Sequence, residues 1–238
     1  DIDNKPHVVD SALWRPVNEF DPNRLTGTVL VWRSPRHAAW LKQQNKALRV
    51  LNWLHDTTYS ASPSDYAVAD GTIVLSQFHA EAIKRYDKFD GPFLFAGNGV
   101  DPKEFTGLHA NPSRDPHKAI YASAPNRGLD LLLAIWPQVR KRVPDATLDI
   151  YYGWETTRKM MTSDANLAAG MGPLLDMLER KIAELADQGV KYHGGVGHKE
   201  LHEAYSRSGV WAYPDHSFEE IYCISAVKAQ ATGCWPVT

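Results

Sequence analysis

"KAIYASAPNRGLDLLLAIWPQVRKR", residues 118–142, changes character partway along. Residues 118–123 form a short apolar run of the kind that makes a buried strand. A polar turn comes next, and from residue 128 to 142 the apolar positions recur at helical spacing. The same alternation continues downstream. Strands are expected at 147–153, 190–193, 210–213 and 235–238, and helices at 173–188, 199–208 and from near Ile221 onward. Strands that alternate with helices make parallel sheets with helices packed against them. Residues 118–238 therefore read as a Rossmann-like α/β domain.

The same pattern occurs upstream. "TVLVWRS" (28–34), "LRVLNWLHD" (48–56), "GTIVLS" (71–76) and "PFLFAG" (92–97) read as buried strands. Helices are expected at 35–45 and 77–87, with Ser76 placed to cap the second. Between the two series, residues 97–115 ("GNGVDPKEFTGLHANPSRD") are rich in Gly, Pro, Asn and Asp, as in a linker. The expected organisation is an N-terminal domain over 1–100, a linker over 101–117 and a C-terminal domain over 118–238, with a cleft between two parallel-sheet domains. Residues 154–172 carry no clear period and read as a long connection.

Composition limits the function. With 238 residues, 43% hydrophobic and 23% charged, the chain can build real cores. A formal net charge of −2 argues against a nucleic-acid partner, which needs a basic face. Cys223 and Cys234 are the two cysteines, which is neither a disulfide framework nor a paired metal motif and suits a reducing cytosol. No apolar run reaches membrane-spanning length, so at most peripheral contact at the inner face of a membrane is expected.

In doubly wound folds, ligands bind where strand ends run into helix N-termini. Four segments fit. "ASAPNRGLDLLL" (122–133) places Arg127 where amides and a guanidinium could hold phosphate, although an isolated arginine is usually a solvated surface charge. "HGGVGHKE" (193–200) has three glycines at a turn, which suit close approach of a ligand and a plain tight turn equally. "YPDHSFEEIYCIS" (213–225) opens a helix, and "WLHDTTY" (53–59) sets His55 and Asp56 at a strand end. A helix from Ile221 would carry Ile221, Ile224, Val227 and Ala231 on one apolar stripe. Lys228 would then fall ~40° from its centre at about 100° per residue. Other motifs fail. "HKELH" (198–202) lacks the order of a zinc-peptidase helix, and no G-x-G-x-x-G, P-loop or G-x-S-x-G occurs in its required setting.

Taken in order, these segments resemble the GT-B-fold retaining glycosyltransferases of the group 1, or family 4, type. "WLHD" resembles the first-domain histidine strand, and "ADGTIVLSQFHAEAI" with "NGVDPKEF" resembles the strand and helix that lead into the linker. "RGLDLLL" resembles the phosphate-site helix, with Arg127 at its lysine position. "YHGGVGHKELHEAYSRSGVWAYP" and "EEIYCISAVKAQATGCWPV" resemble the strand–loop–helix before the donor site and the signature helix. The resemblance implies a glycosyltransferase that moves a sugar, with retention and without a metal or cofactor, from a nucleotide-sugar donor to a glycan or lipid-linked acceptor. It implies that Glu220 holds donor-sugar hydroxyls and that Arg127 neutralises the diphosphate, helped by amides around Ile221, Tyr222, Cys223 and Ile224. Glu219 falls in the same segment, Gly195 and Val196 would lie near the base, and His55 would touch donor sugar or acceptor.

Two positions depart from the pattern. Lys228 stands where a glutamate normally holds ribose, and Ala122 stands where an arginine is usual. The opening strand and closing segments of the family are also expected to be missing. A weakened or inactive nucleotide-sugar binder therefore competes with the transferase. So does a nucleotide-sugar epimerase or a phosphorylase on the same fold, although the lysine site of a phosphorylase is not found.

Overall fold

A computed structural model describes residues 6–9, 11–216 and 218–238. The chain divides into two compact units, Asp1–Asn98 and Gly99–Thr238.

In the first unit, β1 (His7–Val9) and β2 (Ala12–Trp14) pair antiparallel. A separate parallel sheet has the order β3 (Thr28–Trp32), β4 (Arg49–Trp53), β5 (Gly71–Val74), β6 (Phe93–Phe95). Its strands are joined by α1 (Pro35–Gln44), α2 (Pro63–Ala67) and α3 (Gln77–Tyr86). Ser76 caps α3 as expected, accepting from the His79 amide at 3.1 Å. Strand residues alternate between faces. Val29, Val31 and Val50 pack against Ala38 and Leu41 of α1, and Val74 packs against Ala80 and Ile83 of α3. The opposite face carries Leu30, Trp32 and Leu94, which are 52%, 61% and 50% exposed.

The second unit is a five-stranded parallel sheet. In chain order its elements are β7 (Asp115–Tyr121), α4 (Leu129–Arg142), β8 (Thr147–Tyr151), α5 (Glu155–Met161), α6 (Ala165–Glu184), β9 (Val190–Gly194), α7 (His198–Arg207), β10 (Ser208–Ala212), α8 (Ile224–Ala231) and β11 (Trp235–Val237). The strand order is β11-β10-β7-β8-β9. Successive strands step outward from β7 to β9, and the chain then crosses back to β10 beside β7. This reversal between β7 and β10 is the topological switch point, where doubly wound sheets open a crevice at their carboxyl ends. Leu129, Leu133, Leu148, Ile150 and Leu175 are fully or almost fully buried in one core. Each such side chain contributes ~1.5–3 kcal/mol through burial.

Three local expectations change. The linker-like stretch packs with the second unit: Phe105, in a 3-10 turn over Pro102–Phe105, is buried against the His202 ring at 4.4 Å between centroids. Arg114 ties the same stretch down by donating to the carbonyls of Ser208 at 2.8 Å and Thr232 at 2.5 Å. The aperiodic stretch 154–172 is helical, forming α5 and the start of α6, which begins at Ala165 instead of residue 173. Asp164 caps α6 by accepting from the Leu167 amide at 2.9 Å, and Arg158 of α5 bridges to Asp176 and Glu179 of α6 at 2.8 and 2.9 Å. Gly170, Gly172 and Pro173 mask this helix in the sequence because all three have poor helix propensity. Finally, α8 starts at Ile224, three residues later than expected.

Candidate functional site at the β7–β10 switch point

The loop that leaves β7 is folded by its own strand. Tyr121, the last residue of β7, donates its hydroxyl to the carbonyls of Ala124 at 2.6 Å and Arg127 at 3.0 Å. Gly128 comes next with φ of +78°, and a Cβ there would run into the Pro214 carbonyl and lie 2.9 Å from the Asp215 amide nitrogen. The β7 loop can therefore press against the loop that leaves β10 only because residue 128 has no side chain.

This contact brings Arg127 and Glu220 together. Arg127 Nη1 lies 3.8 Å from Glu220 Oε2, with the side chains 21% and 31% exposed. The separation exceeds hydrogen-bond reach. Nε and Nη1 of Arg127 are buried with no hydrogen-bond partner, and the Phe218 ring stacks on the guanidinium, 2.9 Å from Cζ to the ring centroid. Glu220 is oriented from two sides: Oε2 accepts from the Tyr213 hydroxyl at 3.2 Å and Oε1 from the Tyr222 amide at 3.3 Å. Burial, then the Glu220 charge, push the Tyr213 hydroxyl well above the usual tyrosine range, so it stays a donor. Sequence reasoning passed over Tyr213 and Phe218, although both precede the acidic pair in "YPDHSFEE".

Helix α8 starts beside this pair. Cys223, at its N-cap, makes no side-chain cap, and Ser225 Oγ donates to the Ala122 carbonyl at 3.1 Å, pinning the helix start to the end of β7. Amides at a helix N-terminus carry partial positive charge. Burial raises the Cys223 thiol above its ordinary pKa, which keeps it protonated. The inward face of α8 centres on Ala229, fully buried, while Ile224 is 41% exposed. The expected stripe of Ile221, Ile224, Val227 and Ala231 is therefore not the packing face, because Ile221 precedes the helix and small residues let α8 approach the core. Lys228 is half-buried and faces α7. Burial first, and the Lys228 charge second, lower the pKa of His202 there.

Gly195 and Val196 come after β9, two strands from β7 and thus ~10 Å away at ordinary strand spacing. Gly153, after β8, and Gly195 meet backbone to backbone: a Cβ on Gly153 would lie 2.9 Å from the Gly195 Cα. Trp154 and Tyr192 stack beside them at 4.2 Å.

His55 belongs to the first unit, and the other candidates to the second. Its ring contacts Trp53 at 5.0 Å and Trp32 at 5.9 Å, and Nε2 is buried without a partner. Burial, then Arg33, lower its pKa. Asp56 pairs with Arg33 at 3.0 Å and not with His55. Fully buried His79 holds this strand exit: Nδ1 accepts from the Leu75 amide at 3.1 Å, so Nε2 donates to the Asp56 carbonyl at 2.9 Å. Among the described residues, no cluster of three His, Cys, Asp or Glu side chains could hold a metal ion, and no helix is long and apolar enough to cross a membrane.

No family model matches the chain, and no curated protein matches it in sequence. The comparison with solved structures shows the fold, which is that of the GT-B glycosyltransferases. The pneumococcal O-GlcNAc transferase GtfA, in complex with UDP and GlcNAc, is similar at 16% identity and a TM-score of 0.59 over 98% of this chain and 47% of its own. HepE of Anabaena, in complex with UDP and glucose, is similar at 15% identity and a TM-score of 0.60 over 87% of this chain and 58% of its own. A trehalose-6-phosphate synthase studied for glycosyl transfer with retention gives 11% identity and a TM-score of 0.63 over 87% and 56%. The chain spans about half the length of these structures.

Proposed function

We infer that the chain is a glycosyltransferase by lineage, taking a nucleotide sugar as donor and passing its sugar to a glycan or lipid-linked acceptor, with retention and without a metal. The observation that carries this reading is the guanidinium of Arg127, two of its nitrogens buried and unpartnered at the switch point, beside Glu220 and the uncapped start of α8. An anion with several oxygens suits those donors. As the bond from anomeric carbon to phosphate oxygen breaks, its electron pair stays on the diphosphate. Arg127 and the α8 amides stabilise that charge, and Glu220 accepts hydrogen bonds from sugar hydroxyls. The ~10 Å from β7 to β9 leaves the diphosphate at Arg127 and the base near Gly195 and Val196. His55 is assigned to contact with donor sugar or acceptor.

Binding without turnover is the second reading, favoured by Lys228, whose ammonium cannot accept ribose hydroxyls. Thermal-shift titration with UDP-, GDP- and ADP-sugars tests the donor assignment, since a ligand specific to the folded state raises Tm. No shift with any of them would overturn it. Sugar transfer or donor hydrolysis, read as release of nucleoside diphosphate, separates the transferase from the binder.

A further inference from the structure

We propose that Glu155 selects the nucleobase of the donor, and that the base it selects is guanine. This rests on the reading of the crevice as a nucleotide-sugar site and names the base, which that reading leaves open. Strands β7, β8 and β9 are parallel neighbours, so the loops that leave β8 and β9 lie on the same carboxyl edge as Arg127. These two loops meet on glycines: a Cβ on Gly153 would lie 2.9 Å from the Gly195 Cα, and Gly194 has φ of +74°. The Glu155 carboxylate lies over the junction. Its Oε2 would be 3.1 Å from a Cβ on Gly153, and its Oε1 3.6 Å from one on Gly194. A glutamate in the first turn of a helix is favourable through the helix dipole alone. That effect does not draw the carboxylate across onto the exit of a neighbouring strand.

Two aromatic residues hold it there. The Tyr192 hydroxyl shares its proton between the Tyr152 carbonyl at 2.7 Å and Glu155 Oε1 at 3.1 Å. Burial, then the Glu155 charge, push that hydroxyl up to about 12, so it stays a donor. The Tyr192 ring stacks on buried Trp154, whose indole donates to Glu179 Oε1 of α6 at 3.0 Å. One carboxylate oxygen is thus fixed, while Glu155 is exposed and its Oε2 has no hydrogen bond or ion pair among the described residues. An ionised carboxylate only accepts, and each of its oxygens has more than one lone pair to offer. Guanine presents two adjacent donors, N1–H and the N2 amino group, which a carboxylate takes as a pair of charge-assisted bonds. Uracil presents one N–H between two carbonyl oxygens, and adenine an amino group beside acceptor nitrogens, so each sets a lone pair against the carboxylate.

The test titrates the whole chain with GDP, UDP and ADP by calorimetry, in wild type, Glu155→Gln and Tyr192→Phe. Wild type is expected to bind GDP about tenfold or more tightly than UDP or ADP. Glu155→Gln should remove most of that preference and leave UDP no weaker, because an amide can donate and accept beside the uracil N–H. Tyr192→Phe, which frees the carboxylate to turn, should lose part of the preference. Wild type that binds UDP or ADP as tightly as GDP overturns the selection of guanine and leaves the donor reading intact. So does a GDP preference that survives in Glu155→Gln. An equal loss for all three nucleotides in that variant also overturns it, and assigns Glu155 to the ribose they share. Failure of all three to bind wild type overturns the donor reading as well.

Discussion

The Tyr213 hydroxyl donates to Glu220 at 3.2 Å, so the strand that ends at the switch point aims the carboxylate of the loop beyond it. Tyr213→Phe keeps the ring, which stacks on Trp211 at 4.8 Å, and removes only the donor. Stability measured by urea unfolding should fall by ~1 kcal/mol. If Glu220 holds sugar hydroxyls, the variant should bind UDP as wild type does while losing part of the extra affinity for a UDP-sugar. A parallel loss for both ligands would place Tyr213 on the nucleotide side instead.

Gly128→Ala tests the contact that closes the two loops. The residue adopts φ of +78°, and the added methyl would collide with the Pro214 carbonyl. Backbone strain and displacement of the β10 loop should together cost ~2–4 kcal/mol. Phosphate binding should weaken as well, because Arg127 shifts with its neighbour. Urea denaturation and a pyrophosphate titration measure the two effects, and a loss below ~1 kcal/mol would show that the loops give way easily.

Acid should destabilise both units. Burial lowers the pKa of His79 in the first unit and of His202 in the second from the ordinary 6.5. The folded state therefore resists a proton that the unfolded chain accepts. The stability held above pH 6.5 is lost as pH falls through the depressed folded values. Tm should drop between about pH 7.5 and 5.5, and His79→Gln should flatten that dependence in the first unit. Ordinary imidazole values for His79 and His202 in an NMR titration would mean that neither is protected from protonation.

Lys228→Glu restores the residue type that the family resemblance places at this position. It should strengthen binding of nucleoside-diphosphate sugars, as read by calorimetry. It should also raise the pKa of His202 in an NMR titration, because an ammonium that disfavours imidazolium is replaced by a carboxylate that favours it. A rise in the His202 value with no gain in affinity would assign Lys228 to the α7–α8 contact alone.

Much of this architecture was legible because strand and helix periods differ sharply. Runs such as "TVLVWRS" and "TIVLS" fell on β3 and β5, and Ser76 announced α3. What failed had local physical causes. Two glycines and a proline hid the first turns of α6, and a helix start misplaced by three residues turned α8 to the wrong face. The site was legible only in pieces. Arg127 and Glu220 were each recognisable, but their approach to 3.8 Å depends on β10 returning beside β7. No periodicity encodes that return. Phe218 gave no signal at all, since an aromatic beside two acids has no meaning until the cation it covers is known.

The docking of Phe105 and Arg114 onto the second unit has a consequence for how such a protein can be inherited. Because that stretch belongs structurally to the second unit, the natural seam for genetic exchange falls between Asn98 and Gly99, at the very start of the Gly-, Pro- and Asn-rich segment and ahead of Phe105 and Arg114. A crossover there would transmit Phe105 with His202 and Arg114 with Thr232, keeping their contacts together. A crossover inside the segment, beyond Phe105, would separate the first of these pairs. Descendants recombined at this seam could exchange one half for a relative's and leave the packing of the other undisturbed.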